Sequence, residues 1–398
     1  MKSCIIIGGG IAGPVAALAL SRIGIKCTIY ELRDSPATIG GAINLTPNAL
    51  KLLASLDVQV AGCVVNDIEI FSYHTGSKLA DLSFRGPSGH AVRIVREDLL
   101  RALLDAVEKA DVSIVYGSKL VSINEMEHGE GDVEAVFENG TSAKADFVVG
   151  CDGMYSATRM KFVEPERVPI YTDAASAYAI VDGRELKAPV HFRETAVNSG
   201  MYGSLLSSFI DEKREKIYLS AAMQAEEQKD KDGWKVRGAD HEKTVHEIQR
   251  RFGAVAFTCL PELLGRVEEY TYYPVYKLAP GGNWSREKVV LLGDAAHGMP
   301  PQGESTGLAI EDAMLFARVL DKFSGRSVEE AFVAYEKTRR PRIDSAYKQA
   351  VMRWSRVKDK SWAVQKLEEL FTRAWMWYMA DEFEKNFAYD IMKEEIVG

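Results

Sequence analysis

Little in this chain suggests an architecture held by cross-links. Its five cysteines (Cys4, Cys27, Cys63, Cys151, Cys259) are odd in number, scattered over 398 residues and never spaced Cys-x-x-Cys. That argues against a disulfide framework and against a zinc site, and it fits a reducing, cytoplasmic setting with no metal expected. There is no basic excess either: Lys+Arg total 49 against Asp+Glu 57, for a net charge of −8. Nucleic acid is therefore not an expected partner, because phosphate binding needs a basic footprint. Long hydrophobic runs are missing too. The most apolar late stretch, residues 371–379, contains Arg373 and is flanked by Glu368, Glu369, Asp381 and Glu382, so it reads as an amphipathic helix and not a membrane span. The opening Met1-Lys2-Ser3-Cys4-Ile5-Ile6-Ile7 is broken at once by three glycines, which suits a buried first strand better than a signal peptide. Neither internal repeats nor a run of like charges is visible.

What is present is the balance of a globular protein, 46% apolar and 27% charged, and a strong local pattern at the N-terminus. The apolar, β-branched run 4–7 predicts a strand buried on both faces. It leads into Gly8-Gly9-Gly10-Ile11-Ala12-Gly13, then a predicted helix over 14–23 with small residues (Ala12, Ala16, Ala17, Ala19) on one face, then a second strand over 27–30 that ends in Glu31. Gly8 allows the tight turn, Gly10 lets backbone approach a pyrophosphate, and Gly13 lets helix and strand pack closely. The helix N-terminus offers free N–H groups and partial positive charge to phosphates. Glu31 stands at about the 20-residue spacing expected of a carboxylate gripping ribose hydroxyls, where it would repel a 2′-phosphate. A dinucleotide, FAD or NAD, is expected over residues 4–33, with Arg33 closing the segment.

Two distant elements choose between these. Asp146-Phe147-Val148-Val149-Gly150-Cys151-Asp152-Gly153 is a second buried strand running into a turn, followed by Ser156 and Arg159. Lys288-Val289-Val290-Leu291-Leu292-Gly293-Asp294-Ala295-Ala296-His297 is a third, followed by Pro300-Pro301-Gln302-Gly303 and a predicted helix over 308–320. Each puts an aspartate at the C-terminal end of a strand, where open α/β sheets bind ligands. An extended FAD needs such additional elements, and an NAD-dependent dehydrogenase does not.

These three motifs, in this order and spacing, resemble the single-component aromatic-hydroxylase family of FAD-dependent monooxygenases, such as salicylate and para-hydroxybenzoate hydroxylases. The resemblance spans roughly residues 1–345 and includes the segment 40–49, Arg96-x-x-Leu99 and Arg339-Arg340-Pro341-Arg342. The Pro-Pro-x-Gly form of the third motif looks most like fungal secondary-metabolite members. The resemblance implies that Gly8, Gly10, Ala12, Gly13, Glu31 and Arg33 hold the ADP half, and that Arg96 meets the ribityl–pyrophosphate region. It links Asp152 and Gly153 to both FAD and the nicotinamide cofactor, and gives Asp294 the ribityl hydroxyls. Pro300, Pro301 and Gly303 would lie beside the flavin ring, with Ser305, Thr306 and Gly307 opening the following helix toward it. It also implies NADPH or NADH as electron donor, molecular oxygen as co-substrate and a flavin C4a-hydroperoxide as the hydroxylating or epoxidising species. One departure stands out: Gly303-Glu304-Ser305 replaces the family's usual Gly-Gln-Gly, and Glu304 is expected to face away from the ring.

The expected fold class is α/β, a Rossmann-like FAD domain (1–65, 91–160, 281–345) interrupted by an antiparallel β-sheet substrate domain (66–90, 161–280). Residues 346–398 read as C-terminal helices (346–357, then 362–393) whose tryptophans go into ordinary core. A small-molecule cavity is expected between sheet and flavin, with Tyr202, Phe209, Tyr218, Tyr272 and Tyr273 as candidate walls. Tyr202 and Pro300 are placed at the reacting centre, with His191 as a further candidate base. No second Gly-x-Gly-x-x-Gly occurs; Gly129-Glu130-Gly131 sits in a polar turn. That excludes the enzymes with two dinucleotide domains. A flavin halogenase would carry Trp-x-Trp-x-Ile-Pro, of which the stretch 374–379 matches only the two tryptophans. A FAD oxidoreductase or cyclase without oxygen insertion would share the same motifs. The expected partner is an aromatic or polyketide-like small molecule, bound by a monomer or homodimer.

Overall fold

The computed structural model describes all residues except 1, 39, 85–88, 127–131 and 230–232, so the turn Gly129-Glu130-Gly131 lies outside the described residues. Ser3–Ile7, apolar after its first residue, takes the interior of a six-stranded sheet. The strand order is Ser285–Arg286, Val289–Leu291, Phe147–Gly150, Ser3–Ile7, Lys26–Tyr30, Ser113–Val115, parallel throughout except at the two-residue edge strand Ser285–Arg286. Parallel pairing of the three motif strands brings their C-terminal ends to one edge. Gly8, Asp152 and Asp294, far apart in sequence, therefore follow strands that end side by side.

The first helix, Ala12–Arg22, starts two residues before the predicted span. It packs hard against the sheet: a Cβ on Gly13 would lie 2.0 Å from the Gly8 carbonyl oxygen. Ser305–Lys322 lies beside it, also longer than predicted.

The second layer is a seven-stranded sheet in the order Thr271–Lys277, Ile170–Asp182, Lys216–Gln224, Gly203–Phe209, Thr195–Gly200, Asp67–Ser72, Lys78–Ser83. It is antiparallel except where Asp67–Ser72 meets Thr195–Gly200 in parallel. Those two strands come from distant segments, so no hairpin constrains their direction. Its central strands alternate. Ala177, Ala179, Ile217, Leu219, Ala221 and Leu205 pack on the helices His241–Phe252 and Cys259–Gly265, while Ser176, Tyr178, Tyr218, Ser220 and Leu206 face the cofactor layer.

The C-terminal region departs from expectation. Val328–Trp354 is one 27-residue helix that runs through Pro341, not a core helix followed by a separate segment. Proline removes one helical hydrogen bond, but the arginines around it fix both halves. Arg339 reaches Asp312 and the Leu308 carbonyl, Arg340 donates to the Gly282 carbonyl, and Arg342 pairs with Glu311. Trp362–Tyr378 and Ala380–Ala388 follow. Their aromatic residues are not ordinary core, since Trp377 is 83% exposed and Tyr378 72%.

A buried charge network locks the third motif to these helices. Asp312 Oδ2 accepts from the Gly293 amide (2.8 Å) and lies 2.6 Å from His297 Nε2; Oδ1 accepts from Arg339 Nε (2.6 Å). Arg339 also pairs with Glu311 at 2.7 Å. Burial alone would raise the Asp312 pKa, but the charges of His297 and Arg339 outweigh it and hold the carboxyl at about 2. Asp312→Asn, which leaves Arg339 short of a counter-charge, is expected to cost about 3–5 kcal/mol in urea denaturation at neutral pH. Because the folded pKa lies below the ordinary 3.8, the Asp312 contribution is complete above about pH 4 and is lost as pH falls toward 2. The gap between the two proteins should therefore narrow over that interval.

Candidate active site

At the first strand end Gly8 has φ +107°, and a Cβ there would sit 2.6 Å from the Cys151 carbonyl oxygen. Gly10 is the opposite case, because a Cβ on it would meet nothing within 4 Å. Open space therefore faces the start of Ala12–Arg22, a helix with no side-chain cap on its N-terminus. Glu31 is buried, and its carboxylate accepts from the amides of Gly9 (2.6 Å) and Arg33 (2.9 Å). The Arg33 side chain points along the surface to the Ala37 carbonyl.

Asp152 is engaged by its own turn. It accepts from Ser156 Oγ (2.5 Å) and from the amide and hydroxyl of Thr158 (2.9 and 3.0 Å), the capping work such residues commonly do. Gly153 takes φ +76° to close the turn. Arg159, fully buried, then donates to the carbonyls of Met154, Arg167 and Ala295, tying the second motif to the third. Asp294 differs from Asp152. Its side chain makes no hydrogen bond or ion pair among the described residues and opens into a cavity of about 880 Å³. Surrounding protein still crowds it enough to push its carboxyl above the ordinary value, with His297 and Arg96 partly offsetting this.

Around Asp294 the cavity wall is formed by Gly40, Gly41, Arg96, Pro301, Gly303, Glu304, Ser305 and Thr306. Arg96 passes over Gly40, where a Cβ would lie 2.7 Å from its Cδ, and its Nε donates to Thr38 Oγ1 at 3.0 Å. Pro300 and Gly307 are buried behind the wall; a Cβ on Gly307 would press on Thr46 Oγ1 at 3.3 Å. The N-terminus of Ser305–Lys322 has no side-chain cap, and Ser305 Oγ is buried without a partner among the described residues. Glu304 lines the cavity and does not cap this helix. Burial pushes its carboxyl up, and Arg353 and Arg342 partly counter that. The 300s loop is held from outside: Trp354 Nε1 donates to the Pro301 carbonyl (2.6 Å) and Arg353 to that of Gln302 (3.0 Å).

On the sheet side Tyr178, Tyr218 and Tyr273 line the cavity, with ring centroids of Tyr178 at 5.7 Å from Tyr218 and 6.1 Å from Tyr273. Burial pushes the Tyr218 and Tyr273 phenols up. The other sequence candidates are elsewhere. Tyr202 sits in the turn after Thr195–Gly200, 38% exposed, and does not reach the cavity. Phe209 falls on the opposite face of its strand, and Tyr272 lies under the Arg237 guanidinium. His191 stacks on Phe257 (3.7 Å) and contacts Asn198 and Cys259, also away from the cavity. Sequence reasoning missed three contributors: Tyr178, Arg93, and the wall formed by Trp375, Met376, Met379, Phe383 and Phe387 of the C-terminal helices. The signals were present, in the strand alternation around Tyr178 and in a lone arginine inside Ala91-Val92-Arg93-Ile94-Val95.

These features fit FAD: open space at Gly10, two uncapped helix N-termini, an unpartnered carboxylate at Asp294 and an orphaned hydroxyl at Ser305. Comparison with known proteins agrees. A family model described as an FAD binding domain matches residues 1–350. The 6-hydroxynicotinate 3-monooxygenase of Pseudomonas fluorescens is 27% identical, with 85% of this chain and 87% of that protein covered. The salicylate hydroxylase of Pseudomonas putida is 26% identical over 92% of this chain and 86% of its own length. Among solved structures, Klebsiella pneumoniae HpxO complexed with FAD and uric acid superposes with a TM-score of 0.83 at 21% identity, covering 97% of both chains. The chain belongs to the FAD-binding family of aromatic hydroxylases and is an FAD-dependent monooxygenase.

Proposed function

We propose that this enzyme consumes NADPH or NADH and adds one atom of molecular oxygen to an aromatic or polyketide-like small molecule. The observation that carries the reading is the single cavity shared by Asp294, Arg96 and the Gly303–Thr306 loop on one side and Tyr178, Tyr218 and Tyr273 on the other. A planar substrate lying on the tyrosines would face the cofactor elements directly. The names of the two curated relatives, a hydroxynicotinate monooxygenase and a salicylate hydroxylase, support an aromatic ring as the group that reacts.

Bound FAD supplies the redox chemistry, taking electrons from the nicotinamide nucleotide and activating oxygen. The chain supplies position and environment. Gly8, Gly10, Ala12, Gly13 and Glu31 hold the ADP half, the open space at Gly10 receiving the pyrophosphate against the helix N-terminus. Asp294 and Arg96, both on the cavity wall, would hold the ribityl chain. The uncapped start of Ser305–Lys322, on the cavity wall, would favour negative charge on a flavin bound there. Tyr218 and Tyr273, kept protonated by burial, donate hydrogen bonds to substrate oxygens. Trp375, Met376, Phe383 and Phe387 keep water from the far end.

The direct test is a panel of phenols and polyketides incubated with FAD-loaded enzyme and NADPH or NADH. Active compounds should stimulate nicotinamide oxidation and oxygen uptake and gain one oxygen atom by mass. Flavin reduction with no oxygenated product from any compound would overturn the reading in favour of an oxidoreductase or cyclase. A second prediction concerns the cofactor seat. Gly10→Ala should leave the melting temperature of the apoprotein unchanged yet weaken FAD binding by about tenfold or more, read by flavin fluorescence. Gly13→Ala should lower the apoprotein melting temperature itself, since its Cβ has no room.

A further inference from the structure

Arg93 lies on Ala91–Val95, the middle strand of a small sheet, opposite Asn44 on one neighbour and Cys63 on the other. Val92 and Ile94 point into the main core, so the Arg93 side chain leaves by the other face and joins the cavity wall. It is only 4% exposed, and its Nε is buried without a hydrogen-bond partner. Among the described residues its guanidinium makes no hydrogen bond and no ion pair. Its ionisable neighbours are the Tyr218 phenol and the Cys63 thiol, both pushed up by burial and so neutral.

The remaining cations on the cavity wall are occupied. Arg96 donates to Thr38, Arg353 to the Gln302 carbonyl, Lys360 pairs with Glu368, and Arg356 lies over the Phe371 ring. A buried guanidinium with no counter-charge is costly, and burial has already pushed the Arg93 pKa down to about 10. A side chain kept in this condition at the edge of a cavity is completed by an acceptor that arrives with the ligand.

We infer that Arg93, beside Tyr218, is the substrate-recognition residue of this cavity and selects an aromatic ring bearing an anionic oxygen. The fork geometry of the guanidinium suits a carboxylate, and one of its N–H groups suffices for an ionised phenol. Tyr218 donates to the same oxygen or to its neighbour. Both ligand types share one chemistry, a planar ring with a negative oxygen at its rim, and ring stacking on Tyr178 and Tyr273 is compatible with either. The inference rests on the proposed function only in taking this cavity as the substrate chamber.

The test uses the FAD-loaded full chain and matched probes: salicylate against salicylamide for a carboxylate, and 4-nitrophenol against nitrobenzene for an ionised phenol. Binding is read from the change in flavin absorbance, without turnover. At least one anion should bind more tightly than its neutral partner. Arg93→Met should weaken that anion by ~30-fold or more while leaving the neutral probe unchanged. A purely structural arginine would not behave so in the absence of ligand. Arg93→Met should raise the melting temperature of the ligand-free holoenzyme, because it removes an unpaired buried charge, and the anion should no longer stabilise the variant. Equal binding of anions and neutral partners, no binding of any anion in the panel, or a variant that melts earlier or loses FAD would each overturn the inference. Failure to bind FAD, or to use oxygen with any substrate, would instead strike the proposed function; an oxygen-consuming holoenzyme without anion preference would strike Arg93 alone.

Discussion

Asp312 is fully buried, and its two oxygens are shared among groups from separate parts of the chain. The Gly293 amide and His297 bind one oxygen, and Arg339 binds the other. Gly293 sits at the sharp turn, φ +61°, that releases Asp294 into the cavity. The same carboxylate therefore fixes the turn, the helix that carries it and the long helix that packs outside. This clamp ties the turn after Val289–Leu291 to the middle of Ser305–Lys322, and so links the two features of the third motif that line the cavity. Arg159 does similar work between the second and third motifs through three carbonyls. This edge of the sheet is thus held by buried charges that do not line the cavity.

The sequence made visible what is local and periodic. Gly8, Gly13 and Glu31 belong to one strand–helix–strand unit of about thirty residues, where each residue type answers a steric or electrostatic need of its neighbours. The three strand-and-turn motifs were legible for the same reason, and parallel pairing then brings their ends together with little further choice. Less legible was anything decided by tertiary partners. Asp152 and Asp294 look alike in sequence, each an aspartate after a buried strand, yet one is absorbed by Ser156 and Thr158 and the other left open. Pro341 costs its helix one hydrogen bond, and the contacts that carry the helix through it, from Arg339 and Arg342 to Asp312 and Glu311, are made with a distant helix. The C-terminal helices looked like core because their tryptophans recur at helical spacing; in space one face closes the cavity and the other meets solvent.

The choice of tyrosines shows how narrow the margin was. In a strand a displacement of one residue reverses the facing of every side chain. Tyr218 faces the cavity because Ile217 and Leu219 are in the core; Tyr178 does so because Ala177 and Ala179 are. Tyr202 lies just outside this alternation, in the turn after a strand, and Phe209 falls on the wrong parity of its own. Reading the strand's small residues as the core face, and not its aromatic residues, would have selected Tyr178 over Tyr202. Glycine supports the same geometry: a Cβ on Gly41 would lie 2.2 Å from Tyr218 and 2.7 Å from Tyr178, so the first layer can approach the two rings only where it carries no side chain.

The electrostatics of the cavity follow from that close approach. One wall carries the open end of Ser305–Lys322, with its partial positive charge, and the carboxyls of Asp294 and Glu304, both raised above their ordinary values by the crowding of surrounding protein. The other wall carries neutral phenols. Arg93, on the strand Ala91–Val95, and Arg96, the first residue of the helix that follows it, both line the cavity. Arg96 has Gly40 beneath it and a threonine to lean on. Arg93 has neither, and its side chain is buried in the wall of a cavity lined on one side by the C-terminal helices. A positive charge in a low-dielectric pocket acts at longer range and with less screening than one at the surface. On the proposed reading Arg96 serves the cofactor and Arg93 the substrate, and the difference between them is that one has a hydrogen-bond partner in the protein and the other has none.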